Sequence, residues 1–272
     1  MFLQALCGEP DRMPVPATLV VAAHPDDETV GAGSRLPRLK HAQFVYVTDG
    51  APLDGQDAAR HGLTVGGYRA LRKREREAAL ALCAIAPSQV LDLACPDQQA
   101  ARRLPFLAMR LADLLLTRRF EAALTHPCEG GHPDHDATAL AVHAAAALVR
   151  RRGHTPPALF EMTSYHRGEH GLRAGEFLPD AQADAGLATV RLAANEQQHK
   201  RALLACYASQ RETLSQFGIE FERFRPAPRY DFTRAPHGGP LHYETHPWGL
   251  RGAEFRALAA DAMAQLQLEG QL

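Results

Sequence analysis

Between Thr18 and Thr163 the sequence predicts an α/β fold, a mainly parallel sheet wrapped by helices on both faces, followed by an irregular C-terminal extension. Three observations carry that expectation. Short strand-like runs alternate with longer helical stretches four times and end on a fifth run, and such alternation calls for crossover connections between parallel strands. The first run, Thr18 to Ala23, is apolar throughout, as a strand buried on both faces must be. The tripeptide His-Pro-Asp occurs twice, at 24–26 and 132–134, each time between a strand and a helix. A parallel sheet would bring both copies to its carboxyl edge.

Taken in order, the first strand is bounded upstream by prolines and runs as far as His24, which Pro25 biases toward extended geometry. Thr29 to Lys40 reads as a helical stretch with Pro37 near its end. Gln43 to Thr48 is a second strand closed by Asp49-Gly50, and the Gly-rich, polar segment 51–67 reads as a surface loop. Tyr68 to Ile85 is a helix with Leu71, Glu75, Ala78, Ala79 and Leu82 on one face; Glu75 interrupts that stripe and calls for a partner, Arg72 being one turn away. Val90 to Ala94, Phe120 to His126 and Leu159 to Thr163 are the remaining strands of the alternation. Leu104 to Thr117 is a helix with Leu107, Leu111, Leu114 and Leu115 facing inward. Asp136 to Arg152 is an alanine-rich helix with Asp136 at its N-cap or in its first turn. Beyond it, 165–190 reads as irregular, Ala194 to Thr213 as a helix, 218–250 as a Pro-, Gly-, His- and aromatic-rich segment of little periodicity, and Phe255 to Leu268 as a last helix. The expectation is one domain over 1–272, with a core at about 18–217 and a C-terminal elaboration, 218–272, near the carboxyl edge of the sheet.

Composition narrows the function classes. A formal net charge of −1 over 272 residues gives no reason to expect nucleic acid or an anionic membrane as a partner. The basic run Arg69, Arg72, Lys73, Arg74, Arg76 is interleaved with Glu75 and Glu77, as on a solvated helix face. Five cysteines, odd in number and without a C-x-x-C pair, argue for a reducing compartment. The first twelve residues carry Glu9 and Asp11 and lack the pattern of a secretory leader, and no apolar run is long enough to span a bilayer, so the expected location is cytoplasmic. Gly31-Ala32-Gly33 lacks the third glycine of a dinucleotide fingerprint, since Leu36 stands there.

The chemistry resides in the two His-Pro-Asp clusters. His24, Asp26 and Asp27 crowd the end of the first strand, at the mouth of a helix whose dipole favours carboxylates. His126, Glu129, His132, Asp134, His135 and Asp136 follow the fourth strand. Imidazoles and carboxylates converging from two loops suit metal-assisted hydrolysis. A catalytic zinc takes three such ligands, keeps a position open, and brings the pKa of water to about 7. Spacing alone does not choose among Asp26, Asp27, His132 and His135.

His-Pro-Asp-Asp-Glu after an apolar strand, with a later His-Pro-Asp-His-Asp-Ala-Thr, resembles the PIG-L/LmbE-like de-N-acetylase family. That resemblance implies a Rossmann-like (LmbE-type) sheet and a metal-dependent hydrolase of N-acetylglucosaminyl compounds. It implies His24, Asp27 and His135 as ligands of zinc, with iron(II) accommodated by the same donors, and Asp26 as general base. It also implies that His132 stabilises the oxyanion or protonates the leaving group, with Asp134 keeping His132 oriented and protonated. Weaker echoes at Thr48-Asp49-Gly50, Arg72-x-x-Glu75, Pro96-Asp97, and Lys200 with Ser209-Gln210 extend it over about 18–217, with Arg72 and Asp97 as substrate contacts. The implied substrate is a small N-acetylated amino sugar or a glycoconjugate, and relatives of this kind often form homo-oligomers. Two further readings stay open: an amidase acting on a larger acyl amide or thiol conjugate at the same site, and a non-catalytic carbohydrate- or metal-binding protein. The retention of Asp26 and its partners favours catalysis. His237, His242, His246, Tyr243 and Trp248 are candidates to close over a sugar by stacking, against the plainer expectation of a loop packed on the surface.

Overall fold

The computed structural model describes residues 1–9 and 13–271; Asp11 of the N-terminal stretch lies outside them. The elements follow as α1 (Phe2–Cys7), β1 (Thr18–Ala22), α2 (Asp27–Ala32), β2 (Gln43–Pro52), α3 (Gln56–Arg60), α4 (Val65–Leu82), β3 (Val90–Asp97), α5 (Leu104–Thr117), β4 (Ala122–Thr125), α6 (Pro133–Arg151) and β5 (Ala158–Met162). After these come β6 (Tyr165–Gly168), β7 (Gly171–Ala174), α7 (Ala181–Asp184), β8 (Ala188–Arg191), α8 (Ala194–Ala205), α9 (Arg211–Leu214), β9 (Phe221–Pro226) and α10 (Gly252–Leu266). The main sheet is seven-stranded in the order β3-β2-β1-β4-β5-β9-β8. Its first five strands are parallel, and β9 and β8 join antiparallel.

The alternation expected between Thr18 and Thr163 is therefore present, and the order fixes where a site belongs. β1 pairs with β2 on one side and with β4 on the other, so the winding reverses between β1 and β4. Open sheets of this type bind ligands in the crevice at the carboxyl ends of the strands flanking that reversal. Both His-Pro-Asp motifs follow these two strands.

Side chains of β1 alternate between two cores. Leu19 and Val21 pack into a cluster with α5, α6 and α10, whereas Val20 and Ala22 pack into another with α1, α2, α4 and α8. The first cluster explains the composition of α6, which is buried from Pro133 to Val149. A helix buried all round needs small residues for its neighbours to approach, hence the alanines. Phe255, Ala259, Ala262 and Leu266 of α10 belong to the same cluster.

Several expectations need correction. The segment 51–67 is more than a loop: β2 continues to Pro52, α3 follows, and α4 starts at Val65, capped by the Thr64 side chain accepting from the Gly67 amide at 3.1 Å. The first helical stretch is split into α2 and a 3-10 segment, Gly33–Leu39, that accommodates Pro37. The stretch 165–190 contains the β6–β7 hairpin, α7 and β8. The helix expected over Ala194–Thr213 ends at Ala205, and a 3-10 turn leads into α9. Strand β9 lies inside the segment assigned little periodicity. Its apolar pattern is broken by buried charges: Glu222 meets the Lys200 ammonium at 2.9 Å, and the Arg225 guanidinium donates to Glu161 at 3.0 Å. Buried ions survive when paired in this way, and their presence hides the strand from a hydrophobic pattern.

His143 of α6 gives a stability prediction. Its ring lies edge-on to Tyr230 and Phe232, and Nε2 has no hydrogen-bond partner. Burial alone pushes its pKa down to about 4. Because the folded value lies below the unfolded one of about 6.5, the stability is full above pH 6.5 and falls as pH drops toward 4. Urea unfolding should show about 2 kcal/mol lost to this group between pH 7.5 and 5, a loss that His143→Leu removes. An equal loss in that variant would assign the acid sensitivity elsewhere.

Candidate active site and metal centre

The β1 turn sets the first half of the site. The Asp26 amide donates back to the His24 carbonyl at 2.9 Å, and α2 begins at Asp27. This tight turn lets the His24 amide donate to Asp27 Oδ2 at 2.7 Å. The second half comes from the loop between β4 and α6. His132 is the N-cap of α6, its Nδ1 accepting from the Asp134 amide at 3.1 Å, and His135 follows within the first turn. Gly131 in this loop passes so close to the hairpin that a Cβ there would collide with the Tyr165 carbonyl oxygen.

Three donor groups converge between these halves. His24 Nδ1 lies 3.2 Å from Asp27 Oδ2, His135 Nε2 lies 3.1 Å from Asp27 Oδ1, and the two ring nitrogens are 3.3 Å apart. Tetrahedral bonds of about 2.0 Å give donor–donor edges of about 3.3 Å, and the sides of this triangle of groups are close to that length, with each Asp27 oxygen facing one of the two imidazoles. The nitrogens facing away are held in place. His24 Nε2 lies 3.1 Å from Asp97 Oδ1 and 3.4 Å from Asp134 Oδ2, and His135 Nδ1 lies 3.0 Å from Ser164 Oγ. Such outer partners fix the tautomer of a ligating imidazole and raise its basicity. Against the cost of burial, Asp97 and Asp27 hold the His24 pKa well above its usual value. Asp27, despite burial, is held well below the carboxylate range by His135, His126 and His24.

Among the described residues, the groupings whose donor atoms all lie close enough to hold one ion are His24 with His132 and His135, His24 with Asp97, His132 and Asp134, and Asp27 with His126 and His135, and the set of His24, Asp27 and His135 spans the first and the last of these. His126 carries no role in the sequence reading, yet it lies against the centre. Its ring stacks on that of His135 at 4.2 Å and 9°, and Nε2 lies 3.3 Å from Asp27 Oδ2. The same nitrogen accepts the Ala23 amide at 3.0 Å, which occupies the lone pair a metal would need. The direct attachment of His126 to the end of β4 is the sequence signal for this proximity.

Asp26 lies beside the triangle and is buried. Burial pushes its pKa up to about 6, against the pull of the Arg72 guanidinium, whose Nη2 donates to Oδ2 at 2.8 Å. Gly50 (φ +65°) makes room for that guanidinium, because a Cβ there would lie 2.9 Å from Arg72 Nε. Arg72 therefore pairs with Asp26, and Asp97 backs His24, whereas both were expected to contact substrate; both also line the pocket. Glu75 is held chiefly by Ser209, amide and hydroxyl, at 2.7 and 2.6 Å, and only at 3.6 Å by Arg72, its expected partner. Lys200 points away from the site to Glu222 and the Val30 carbonyl.

A second correction concerns Asp134. Its carboxylate accepts from the amides of Gln98 and Ala100 at 2.6 and 3.0 Å and faces His24, so it orients His24 and not the His132 ring. Burial and the neighbouring His24 push the His132 pKa well below its usual value, opposite to the expected protonated form. With Nδ1 accepting an amide proton, a neutral His132 carries its own proton on Nε2. Asp136 is in the first turn of α6 and accepts from the Glu129 and Gly130 amides at 3.0 and 3.1 Å, tying the preceding loop to the helix.

The pocket over these groups has a volume of about 240 Å³. Tyr165, Phe217 and Leu214 form an apolar wall, and Asp57, Arg60 and Gln210 a polar one. Of the five aromatic candidates in the C-terminal segment, Trp248 reaches the pocket. Its ring lies 4.5 Å from that of His132 and stacks on His246 at 4.4 Å. Among the described residues no helix is long and apolar enough to cross a membrane.

Comparison with known proteins bears on this geometry. Residues 19–146 match the family model described as PIG-L: GlcNAc-PI de-N-acetylase. A search of curated proteins by sequence finds no match. Among solved structures, the chain resembles the zinc-inhibited form of teicoplanin deacetylase Orf2, at 16% identity, 79% of this chain, 99% of that chain and a TM-score of 0.54. It resembles N,N′-diacetylchitobiose deacetylase from Pyrococcus horikoshii at 15% identity, 76% and 83% coverage and a TM-score of 0.54. It also resembles GalB, the 4-carboxy-2-hydroxymuconate hydratase from Pseudomonas putida, at 17% identity, 79% and 98% coverage and a TM-score of 0.57. At these identities the likeness is one of fold, and that fold carries more than one chemistry.

Proposed function

Since residues 19–146 form a PIG-L family domain, we propose that the protein is a zinc-dependent hydrolase that removes acetyl from an N-acetylated amino sugar or glycoconjugate, with iron(II) as the alternative ion. The observation that carries this reading is the triangle of His24 Nδ1, the Asp27 carboxylate and His135 Nε2 with the Arg72-held Asp26 beside it. The deacetylases among the structural neighbours support it further. We also read 1–272 as one catalytic unit, because α10 shares a core with α5 and α6. The unpaired cysteines support a cytoplasmic location.

His24, Asp27 and His135 would hold the ion, which when bound supplies Lewis acidity and a water of lowered pKa. Asp26, which lines the pocket, would take the proton from the attacking water while Arg72 fixes one of its oxygens. His132 would donate its Nε2 proton in a hydrogen bond to the acyl oxygen as charge develops there. The proton held by Asp26 would pass to the departing nitrogen, leaving acetate and a free amine. Trp248 and Tyr165 would restrict water around the acyl group.

A panel of N-acetyl sugars assayed for free amine and acetate, with metal content measured on the same preparation, tests this reading. Equimolar amine and acetate are expected at one equivalent of metal. Release of a larger acid only would favour the amidase reading, and ligand binding without any amine, with metal bound, would favour a binding protein.

A further inference from the structure

A second pair of imidazoles faces one another outside the catalytic centre. His242 opens a 3-10 turn, His242–Thr245, and His246 follows it directly. The two side chains meet Nε2 to Nε2 at 3.1 Å. That separation is close to the edge of about 3.3 Å between two donors on one ion with bonds of about 2.0 Å.

Both rings are held in place. The His242 amide donates to the Gly130 carbonyl at 2.8 Å, in the loop that leads to His132, and the His242 ring lies edge-on to Tyr165 at 5.4 Å. The exposed His246 ring stacks on Trp248 at 4.4 Å and 13°. Tyr165 and Trp248 lie in turn against His135 and His132, at 5.3 and 4.5 Å. Two aromatic rings thus connect the pair to the catalytic histidines, and no donor group is shared.

The donor type selects the ligand. Burial, with His246 and Arg167 nearby, pushes the His242 pKa down to about 4, so its ring is neutral at pH 7 and keeps a lone pair, as a metal ligand must. The Nε2–Nε2 contact uses one ring proton; moving it to Nδ1 of the same ring frees both lone pairs without a change in charge. Imidazole donors suit zinc, nickel and copper, whereas magnesium and calcium take oxygen ligands. Among the described residues, the groupings of three or more donors close enough for one ion include neither His242 nor His246. Water would complete the sphere, and the ion would be held more weakly than at the catalytic centre. We propose that His242 and His246 form a second, separate site for a divalent transition-metal ion, beside Trp248 at the edge of the catalytic pocket. The inference goes beyond the deacetylase reading and does not rest on it. The pair fills only after the catalytic centre has taken its one equivalent.

Trp248 is the only tryptophan of the chain, so its emission reports on this site alone. Copper(II), a paramagnetic quencher that imidazoles bind tightly, is titrated at neutral pH into protein loaded with one equivalent of zinc and dialysed. Saturable quenching at about one further equivalent is expected, and magnesium at the same concentration should leave the emission unchanged. His242→Asn, which retains the stack of His246 on Trp248, and His246→Asn should each weaken the apparent copper affinity by roughly tenfold or more, at least the cost of losing an outer partner. His24→Ala should retain the quenching. Quenching that does not saturate, that magnesium matches, or that persists at wild-type affinity in both Asn variants would overturn the proposal. Loss of quenching in His24→Ala would also overturn it, by assigning the ion to the catalytic centre.

Discussion

Asp26→Asn should lower turnover by about 10²–10⁴-fold, the usual contribution of a positioned general base, and leave metal content unchanged. The substitution keeps the side chain's shape and an oxygen for Arg72 Nη2, so the turn between β1 and α2 is retained. What it removes is the ability to hold a proton. The surroundings of Asp26 suit proton transfer, because burial pushes its pKa up to about 6 while Arg72 opposes the rise. A carboxylate in water would be a weaker base, and one paired more tightly would resist protonation. Arg72 is itself buried, with Nε and Nη1 lacking hydrogen-bond partners, so its orientation depends on Asp26, Glu75 and the space left by Gly50. The expected result is thus a variant that binds metal and substrate and turns over little. Wild-type rates in a metal-replete Asp26→Asn preparation would remove Asp26 from the role of base. Loss of metal in that variant would mean that Asp26 belongs among the ligands.

How far this site could be read beforehand depends on the range of the interactions involved. His24, Asp27 and His135 meet because β1 and β4 are neighbours in a parallel sheet, and the strand-helix alternation already implies a common edge for their two loops. His24 and Asp27 lie just past the end of β1 and His135 in the first turn of α6, at element ends where local pattern is informative. The supporting contacts are long-range and leave no local trace. Ser164 reaches His135 from the segment after β5, and Ser209 reaches Glu75 from the turn after α8. Asp97, expected as a substrate contact, and Asp134, expected to hold His132, both back His24 for one reason. Motif position says which residues gather at the site but not which atom each one touches, and both carboxylates turn to His24. Elements escaped notice for a related reason. The edge strand β8, A-T-V-R, is short, and β9 carries Glu222 and Arg225 inward, where only tertiary partners make a buried charge tolerable.

Two triads share Asp27 and His135, one completed by His24 and the other by His126, and substitution of each histidine separates them. His24→Ala should abolish stoichiometric metal binding, a loss larger than the 10–100-fold typical of removing an outer partner. His126→Phe, which keeps a flat ring against His135, should retain the metal. The difference follows from the lone pairs. His126 Nε2 already accepts the Ala23 amide, whereas His24 turns Nδ1 toward Asp27 and His135 and has Nε2 held by Asp97 and Asp134. His126 is also kept neutral, its pKa pushed down to about 4 by burial and the adjacent His135, so in the folded chain it adds no cation beside the ion. Thermal unfolding gives a readout independent of turnover. An ion at a hundred times its Kd stabilises the folded state by about 2.7 kcal/mol, several degrees in Tm for a chain of this length. That shift should be present in wild type and His126→Phe and absent in His24→Ala. Asp97→Asn should keep it while requiring more metal, because it loosens His24 without removing a donor. A shift lost in His126→Phe and kept in His24→Ala would move the ion to the other side of Asp27, away from Asp26, and with it the assignment of the base.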